Sequence, residues 1–320
     1  MGCGQFAFST LSPKLLKFGF SPIKYAFDID QDNLNSFCNF YSCKPITSLK
    51  NLNNISIAYI CSNHSSHFEY TKYLLNRHIN VYCEKPLTTN INDVYQLSRI
   101  VKESKATLYT GYNRPHSPII KNIKKLYDKH RPTKFNASLI IFGHKLNKNH
   151  WYRNENEGSR IYGNLSHWID LCHHIMNWNK REIKKLYINM QYLDKDFSDE
   201  NLICTIRSSN GFSFLIAFYT KYEPFGGVYE NIEISTNKFN ARTNNFKDLE
   251  IDEGNNIKLK NYFRKRAGHF EAINQPKQNS NRLYSEFLMS EILISHINEM
   301  TLSRTINLEI DYQTEYQKIF

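Results

Sequence analysis

The tripeptide Glu84-Lys85-Pro86 carries residue types that could do chemistry at the end of a strand. It follows the apolar run Val81-Tyr82-Cys83 and precedes three residues of helix-capping types, Thr88, Thr89 and Asn90. A charged pair held rigidly where a buried strand ends can polarise or protonate a ligand in the adjacent crevice. The alternative is an exposed ion pair without a chemical role, so the surrounding sequence must decide.

A glycine-rich segment, Gly2-x-Gly4-x-x-Ala7, opens the chain ahead of a helix-like pattern from Phe8 to Phe18. In this spacing, two glycines let the backbone approach a pyrophosphate, and a small third residue lets the helix pack on the sheet. Residues 23–27 then predict a strand that ends at Asp28, 26 residues after Gly2. A carboxylate at this place accepts hydrogen bonds from ribose hydroxyls, and no arginine follows it to hold a 2′-phosphate. The pattern therefore favours NAD over NADP.

The segment from His150 to His174 contains a third group of candidate residues. A helix from about Gly163 would carry a core face and a second face. The core face has Leu165, Trp168, Ile169, Cys172 and Met176, and the second face has Asn164, His167, Leu171 and His174. With Asp170 within reach, His167 suits proton transfer because its pKa is ordinarily near neutrality, although a purely structural histidine is the alternative. A metal site with His173 and His174 is disfavoured, because His167 and His173 lie on different faces and no Cys or acid completes a ligand set.

Composition bounds the class of protein. A chain of 320 residues is comfortable for two domains, and 41% hydrophobic residues indicate a globular protein. No apolar run approaches the roughly 20 residues of a membrane span, and no export signal is recognised. Seven cysteines without a Cys-x-x-Cys pair favour reduced thiols and a cytoplasmic location. The net charge of +11 is scattered along the chain, which argues against a nucleic-acid partner.

The first part of the chain alternates predicted strands and helices with short connections. Strands are predicted at residues 55–62, 79–83 and 106–110, and helices at residues 68–76 and 92–105. This alternation predicts a Rossmann-type parallel sheet, with polar clusters at successive strand ends lining one crevice. Because Met1 alone precedes Gly2, the first and central strand is absent from the sequence, and we expect an N-terminal segment to be missing.

The pattern changes after Pro132, where strand-like runs follow one another. They lie at residues 136–143, 185–192, 202–207, 212–219, 229–236 and 256–260, with a hairpin signal at Asn210-Gly211 and a last helix at residues 283–297. Strands without regular intervening helices predict an α+β domain with an open, mainly antiparallel sheet. We therefore expect a dinucleotide-binding domain at residues 1–116 and a substrate-binding and oligomerisation domain at residues 117–320.

Taken together in order, these motifs resemble the Gfo/Idh/MocA family of nicotinamide-dependent oxidoreductases over nearly the whole chain. The resemblance rests on five segments besides Asp28: Gly2-x-Gly4-x-x-Ala7, Ser62-Asn63-x-x-x-His67, Glu84-Lys85-Pro86, Gly111-Tyr112-Asn113-Arg114 and His167-x-x-Asp170. The subgroup that is most similar carries a Gly-Asn-Leu-x-His-Trp-x-Asp helix and is often related to sugar or surface-polysaccharide metabolism.

The resemblance implies hydride transfer between a nicotinamide and a carbinol or carbonyl carbon of a sugar, sugar derivative or nucleotide sugar. It implies that Lys85 polarises or protonates the substrate oxygen and that His167 is the general acid or base. The implied cofactor-binding residues are Gly2, Gly4, Gln5, Phe6, Ala7, Asp28, Cys61, Ser62, Asn63, His67, Glu84, Lys85 and Asn113. The implied substrate-binding residues are Tyr112, Arg114, Trp151, Tyr152, Asn164 and Asp170.

One position departs from the family pattern. Many members carry an aspartate four residues before the histidine, and Gly163 stands there in this chain. Asn164 or Asp170 could take over the orientation of His167, although an asparagine does not stabilise an imidazolium as a carboxylate does. The departure and the absent strand leave a second hypothesis open, a catalytically inactive ligand-binding or regulatory protein on the same fold. For either hypothesis we expect a homodimer or homotetramer, since an open sheet is commonly covered by a partner.

Overall fold

The computed structural model describes residues 1–17, 19, 23–179, 181–220, 227–254, 256–278 and 282–320. The end of the predicted helix at Phe18 lies outside these residues. The chain forms two compact units, the first built from Met1–Tyr112 and Phe270–Tyr284, the second from Asn113–His269 and Ser285–Phe320. The predicted boundary between the two domains lay after residue 116, and Phe270–Tyr284 was predicted to belong to the second domain.

The first unit is an α/β arrangement with parallel strands. A π-helical turn, Ala7–Leu11, leads into α1, and α7 and α8 return to this unit late in the chain. The helices are α1 (Ser12–Lys17), α2 (Gln31–Tyr41), α3 (His64–Leu75), α4 (Ile91–Glu103), α7 (His269–Ile273) and α8 (Gln275–Gln278). The strands are β1 (Tyr25–Ala26), β2 (Lys44–Pro45), β3 (Ile57–Ile60), β4 (Asn80–Cys83) and β5 (Leu108–Thr110). Strands β1 and β2 pair in parallel, as do β3, β4 and β5, so the carboxyl ends of paired strands share one edge.

Met1 and Gly2 lie between the two groups of strands. The backbone N–H of Gly2 donates to Phe27 O at 3.0 Å, and that of Cys61 donates to Met1 O at 2.8 Å. Beside them is a cavity of about 580 Å³ whose lining includes Ala26, Ala58 and Tyr59. Within the described residues no strand lies between β1 and β3.

Helix α2 was not predicted from the sequence. Its residues Gln31–Tyr41 are mostly polar, and the buried side chains are those of Leu34, Phe37 and Cys38. The Asp30 side chain caps the helix by accepting from the backbone N–H groups of residues 32 and 33. Three apolar residues at helical spacing are a weak periodic signal, so the cap was the better evidence.

The second unit contains a nine-stranded sheet in the order β13-β12-β11-β10-β6-β9-β8-β7-β14. The neighbouring strands β6 and β9 are parallel, and the other neighbours are antiparallel. The strands are β6 (Phe135–Phe142), β7 (Lys185–Tyr192), β8 (Leu202–Ser208), β9 (Phe212–Tyr219), β10 (Tyr229–Thr236), β11 (Asn240–Asn244), β12 (Asp248–Asp252), β13 (Ile257–Asn261) and β14 (Asn307–Asp311). The open, mainly antiparallel sheet that the sequence predicted is confirmed.

Among the described residues, one face of this sheet is buried and the other is exposed, and four helices belong to the same unit. They are α5 (Pro118–His130), α6 (Ser166–Met176), α9 (Tyr284–Ser303) and α10 (Tyr312–Ile319). In β6 buried and exposed residues alternate, so that Ile140 and Phe142 are exposed while Leu139 and Ile141 are buried. Leu215 and Tyr229 on neighbouring strands are also exposed. The open face therefore carries an apolar and aromatic surface.

Two further properties of the described residues bear on the class of protein. Across these ranges, no helix is both long and apolar enough to cross a membrane. All seven cysteines are free thiols.

Candidate functional site

The glycine turn at the N-terminus is held in place by steric constraints. Gly2 has a φ of +79°, and a Cβ atom there would lie 2.4 Å from the backbone nitrogen of Ser62. A side chain at this position would collide with the backbone, so glycine is required. At Gly4 a Cβ atom would meet no atom of the described residues within 4 Å. The turn therefore packs tightly on one side and leaves backbone accessible on the other.

Asp28 follows β1 and is joined to the glycine turn. Its Oδ2 accepts from the backbone N–H of Cys3 at 2.6 Å, and its Oδ1 accepts from that of Asp30 at 2.9 Å. Each carboxylate oxygen can accept a second hydrogen bond. The structure thus brings together Asp28 and the glycine turn, as the predicted dinucleotide motif requires.

Ser62 and His67 lie at the end of β3 and in α3. His67 is buried, with 1% of its surface exposed, and its Nε2 lies 3.0 Å from Ser62 O. Its Nδ1 lies 2.6 Å from Pro86 O. The imidazole therefore links the turn after β3 to the turn after β4. This geometry supports a role in holding the two strand ends, whereas direct contact of His67 with a cofactor stays a prediction, as it does for Gln5, Phe6, Cys61 and Asn63.

Glu84 and Lys85 follow β4 directly. The Glu84 carboxyl accepts from the Tyr82 hydroxyl at 2.8 Å, and the backbone N–H of Glu84 donates to Ile60 O at 2.9 Å. Burial raises the pKa of Glu84 to about 7, against the lowering effects of the Tyr82 hydrogen bond and the Lys85 charge. A carboxyl group that titrates near neutrality beside a lysine is a common feature of catalytic sites.

Tyr112 and Asn113 follow β5 after one intervening residue, Gly111. The Tyr112 side chain is fully buried in the first unit. Asn113, the first residue of the second unit, donates from Nδ2 to Ala267 O at 2.6 Å. Arg114 is also buried, and its Nε lies 2.7 Å from Oε2 of Glu230. The polar groups of Asn113 and Arg114 thus have partners inside the protein. The predicted contacts of Asn113 with a cofactor and of Tyr112 and Arg114 with a substrate stay predictions.

An aromatic cluster in the second unit contains Trp151 and Tyr152, whose ring centroids are 4.4 Å apart. The indole of Trp151 is 39% exposed, and Tyr152 is half-buried. A Cβ atom at Gly163 would lie 2.3 Å from a ring carbon of Tyr152, whose hydroxyl donates to Gly163 O at 3.4 Å. The tyrosine ring therefore occupies the space that an aspartate side chain at this position would need, which explains the departure from the family pattern.

Helix α6 begins at Ser166, three residues later than expected, after a π-helical turn at Ile161–Leu165. Asn164 and His167 are half-buried, as expected for residues near a ligand. Leu171 was assigned to the same face but is fully buried, because α6 is covered on more than one side. Asp170 is also fully buried. Its predicted substrate contact, like the predicted roles of Asn164 and His167, stays a prediction.

Residues that sequence reasoning missed surround two glutamates. Tyr82 and Gly111 flank Glu84 in the first unit, and Lys265 lies 2.7 Å from Glu230 in the second. The alternation of side chains along the strands gave a signal for the surroundings of both glutamates. Tyr82 shares a face with Glu84, and Glu230 stands at an inward position of its strand. No group of three or more His, Cys, Asp or Glu residues in the described part of the chain could hold a metal ion.

Comparison with known proteins adds to this geometry. Residues 1–112 match the model of the Gfo/Idh/MocA family, described as an oxidoreductase family with an NAD-binding Rossmann fold. The chain is 26% identical over 125 residues to YceM of Salmonella typhimurium, a match that spans 39% of this chain and 41% of YceM. It is 24% identical over 253 residues to oxidoreductase P35 of Formosa agariphila, which covers 69% of this chain and 78% of P35.

A solved structure extends the likeness to the whole chain. The WlbA dehydrogenase from Bordetella pertussis, in complex with NADH and UDP-GlcNAcA, is similar with a TM-score of 0.73 and 16% identity, covering 97% of this chain and 98% of that one. At this identity the likeness shows the fold, and it confirms the predicted Rossmann-type domain with an α+β domain. The family match covers residues 1–112, the part of the chain for which the sequence predicts a dinucleotide-binding fold.

The residues of the first unit fit an NAD molecule. The glycine turn exposes backbone at Gly4, and the Asp28 carboxylate stands at the end of β1. A turn of this kind offers N–H groups to a pyrophosphate, and a carboxylate at this place offers acceptors to ribose hydroxyls.

Proposed function

We propose that this chain, whose residues 1–112 match the model of the Gfo/Idh/MocA family of NAD-binding oxidoreductases, is an NAD-dependent dehydrogenase or reductase of sugars. Its substrate is a sugar, a sugar derivative or a nucleotide sugar that carries the reacting carbinol or carbonyl carbon. NAD, when bound, accepts or supplies the hydride.

One observation carries this proposal. In the first unit, Asp28, Ser62 and Lys85 each lie two residues after the end of a strand, β1, β3 and β4 respectively. The glycine turn is hydrogen-bonded to the segments that follow β1 and β3. Ligands of parallel α/β sheets bind beyond the carboxyl ends of the strands. This arrangement supports a role for Lys85 near the reactive end of a dinucleotide and its substrate.

The chemistry assigned to the side chains is limited to protons and charge. When an alcohol is oxidised, its C–H bond breaks, the hydride leaves to the nicotinamide, and the hydroxyl proton needs an acceptor. Lys85 stabilises the developing oxyanion, and His167 exchanges the proton. In the reverse direction the same two groups polarise and protonate a carbonyl oxygen.

Features of the second unit support a sugar-type substrate. Trp151 and Tyr152 offer flat, amphipathic rings, and Tyr152 packs on Gly163, the residue before polar Asn164. Such a combination suits a polyhydroxylated ring. The structure of WlbA was solved with UDP-GlcNAcA, which favours nucleotide sugars among the candidates. The exposed apolar face at Ile140 and Phe142 supports a homodimer or homotetramer, and the seven free thiols support a cytoplasmic setting.

Replacement of Lys85 tests the proposal. Purified protein is screened for NADH absorbance changes with a panel of sugars and nucleotide sugars, and the active pair is used to compare Lys85→Met with the wild type. We expect kcat/KM to fall about 10²- to 10⁴-fold, because the oxyanion loses its cationic partner, while NADH still binds. Lys105→Met, which removes an exposed lysine of the same unit, should leave turnover unchanged.

The outcomes separate the two hypotheses for this fold. Full turnover in Lys85→Met would overturn the assigned role of the lysine. NADH binding without turnover on any member of the panel would favour the alternative, a catalytically inactive ligand-binding or regulatory protein. The packing of Tyr152 on Gly163, where many family members carry an aspartate, is the observation that favours this alternative.

A further inference from the structure

Three tyrosines lie side by side across the parallel strands of the first unit. Tyr59 on β3 pairs in register with Tyr82 on β4, which pairs with Tyr109 on β5. The Tyr59 and Tyr82 rings are 5.2 Å apart, and Tyr82 is 1% exposed. Buried parallel strands are usually lined by aliphatic side chains, and a buried phenol needs a hydrogen-bond partner. A row of tyrosines in this place therefore calls for a reason beyond packing.

Tyr82 has its partner two residues along the same strand. Side chains at i and i+2 share a face, so the Tyr82 hydroxyl reaches Glu84 and donates to its Oε1 at 2.8 Å. Glu84 is the residue immediately before Lys85. The tyrosine thus contacts the first charged residue of the strand-end tripeptide.

Glu84 is also restrained from two other directions. A Cβ atom at Gly111 would lie 2.6 Å from Oε2 and 2.8 Å from Oε1, so the carboxyl rests directly against the Gly111 backbone. The backbone N–H of Lys85 donates a hydrogen bond to the same carboxyl. Rotation of the Glu84 side chain away from Tyr82 would therefore also disturb the backbone at Lys85.

The charge of Glu84 depends on these neighbours. Burial raises the pKa of Glu84 to about 7, and the Tyr82 hydrogen bond and the Lys85 charge act in the opposite direction. The titratable groups around it are Tyr82 from β4, Cys61 from the end of β3 and Lys85 from the turn. Burial raises the pKa values of Tyr82 and Cys61, so both stay neutral near pH 7. Glu84 is the acid of this group that changes charge there.

We propose that Tyr82 is a positioning residue, whose hydroxyl holds the Glu84 carboxylate against Gly111 and the Lys85 backbone and so fixes the orientation of Lys85. This inference rests on the proposed function, because orientation matters for the chemistry assigned to Lys85. It concerns a residue two positions before the charged pair, on the buried part of the strand.

The test compares Tyr82→Phe with Tyr109→Phe, a matched control that removes a hydroxyl from the adjacent strand in the same register. The titration of the Glu84 carboxyl is followed by infrared spectroscopy in the cofactor-free protein and assigned by its absence in Glu84→Gln. The Tyr82 hydroxyl stabilises the charged form of Glu84, so its removal makes ionisation harder. Tyr82→Phe should therefore raise the titration midpoint of Glu84 by about one to two pH units. Tyr109→Phe should leave the midpoint unchanged.

The same variants are then examined for binding and turnover. With Tyr82→Phe, the acid limb of the kcat/KM profile should move to higher pH by the same amount as the carboxyl midpoint. In a Glu84→Gln background, Tyr82→Phe should not move the profile further, which separates positioning of Glu84 from packing of the ring. If Tyr82→Phe folds poorly, Gly111→Ala provides the second measurement. Its added methyl group would press on the Glu84 carboxyl and should also displace the Glu84 midpoint.

Two results would overturn the inference. One is an identical Glu84 midpoint in Tyr82→Phe and the wild type, and the other is an equal shift in Tyr109→Phe. The titration needs neither cofactor nor substrate, so a failure of the proposed dehydrogenase function would show as absent NADH binding or turnover while the midpoint shift remained.

Discussion

Glu84 in the first unit and Glu230 in the second are carboxyl groups within the protein whose surroundings act in opposite directions. Glu84 accepts from a neutral phenol, that of Tyr82, at 2.8 Å. Glu230 lies 2.7 Å from both Arg114 Nε and Lys265 Nζ and accepts from Trp168 Nε1 at 2.8 Å. The same residue type thus accepts from neutral donors, the Tyr82 hydroxyl and the Lys85 backbone N–H, in one unit and lies between two cations in the other.

The consequence is a difference in protonation. Burial alone would raise the pKa of Glu230, but the charges of Arg114 and Lys265 lower it to about 2. Burial raises the pKa of Glu84 to about 7, and Tyr82 and Lys85 offset only part of that effect. Glu230 therefore stays anionic at every physiological pH, whereas Glu84 exchanges a proton near neutrality. A buried carboxylate whose charge is fully compensated, as at Glu230, is typical of a structural role. Incomplete compensation, as at Glu84, is typical of a chemical role.

Removal of the fully compensated carboxylate should have the largest effect on stability. Glu230→Ala leaves Arg114 and Lys265 without their shared partner in the protein interior, which typically costs about 3 to 5 kcal/mol. We expect this loss in the free energy of unfolding measured by urea denaturation near pH 7. A Glu230→Ala protein as stable as the wild type would show that the two units do not differ as described.

Glu253 offers a matched control for this variant. It also contacts three basic side chains, those of Lys129, His130 and Lys258. The side chains of Lys129 and Lys258, however, are 61% and 60% exposed. Water can solvate these cations when the carboxylate is removed. Glu253→Ala should therefore cost much less stability than Glu230→Ala, and equal losses would contradict the role of burial.

Neutralisation of Glu84 should have a smaller effect and the opposite sign. A pKa raised from 4.5 to about 7 means that the folded state is penalised as Glu84 ionises, from about pH 4.5 upward and fully above pH 7. Glu84→Gln avoids this penalty, so its Tm should exceed that of the wild type by about 2 °C or more at pH 8, and by less at pH 5. Calorimetry at the two pH values measures this, and a lower Tm at pH 8 would place Glu84 in the same class as Glu230.

The sequence was sufficient to predict the parts of the site that depend on local pattern. Gly2, Asp28 and Lys85 were recognised because a glycine turn and polar residues after apolar runs have characteristic spacing. Their placement at the ends of parallel strands follows from the same β-α alternation.

The parts that depend on tertiary contacts were not predictable in this way. Nothing in the local sequence of Tyr152 indicates that its ring packs on Gly163, eleven positions later. The partners of Arg114 are also distant in sequence, since Glu230 comes from β10 and Trp168 from α6. The buried ion pair of Arg114 was therefore not predicted, and its contact with a substrate stays a prediction.

The most direct test of the account is an equilibrium titration of the purified chain with NADH and NADPH, followed by the fluorescence of the bound nicotinamide. The account predicts saturable binding of NADH and weaker binding of NADPH, because the Asp28 carboxylate would repel a 2′-phosphate. The absence of saturable NADH binding, or a preference for NADPH, would contradict it.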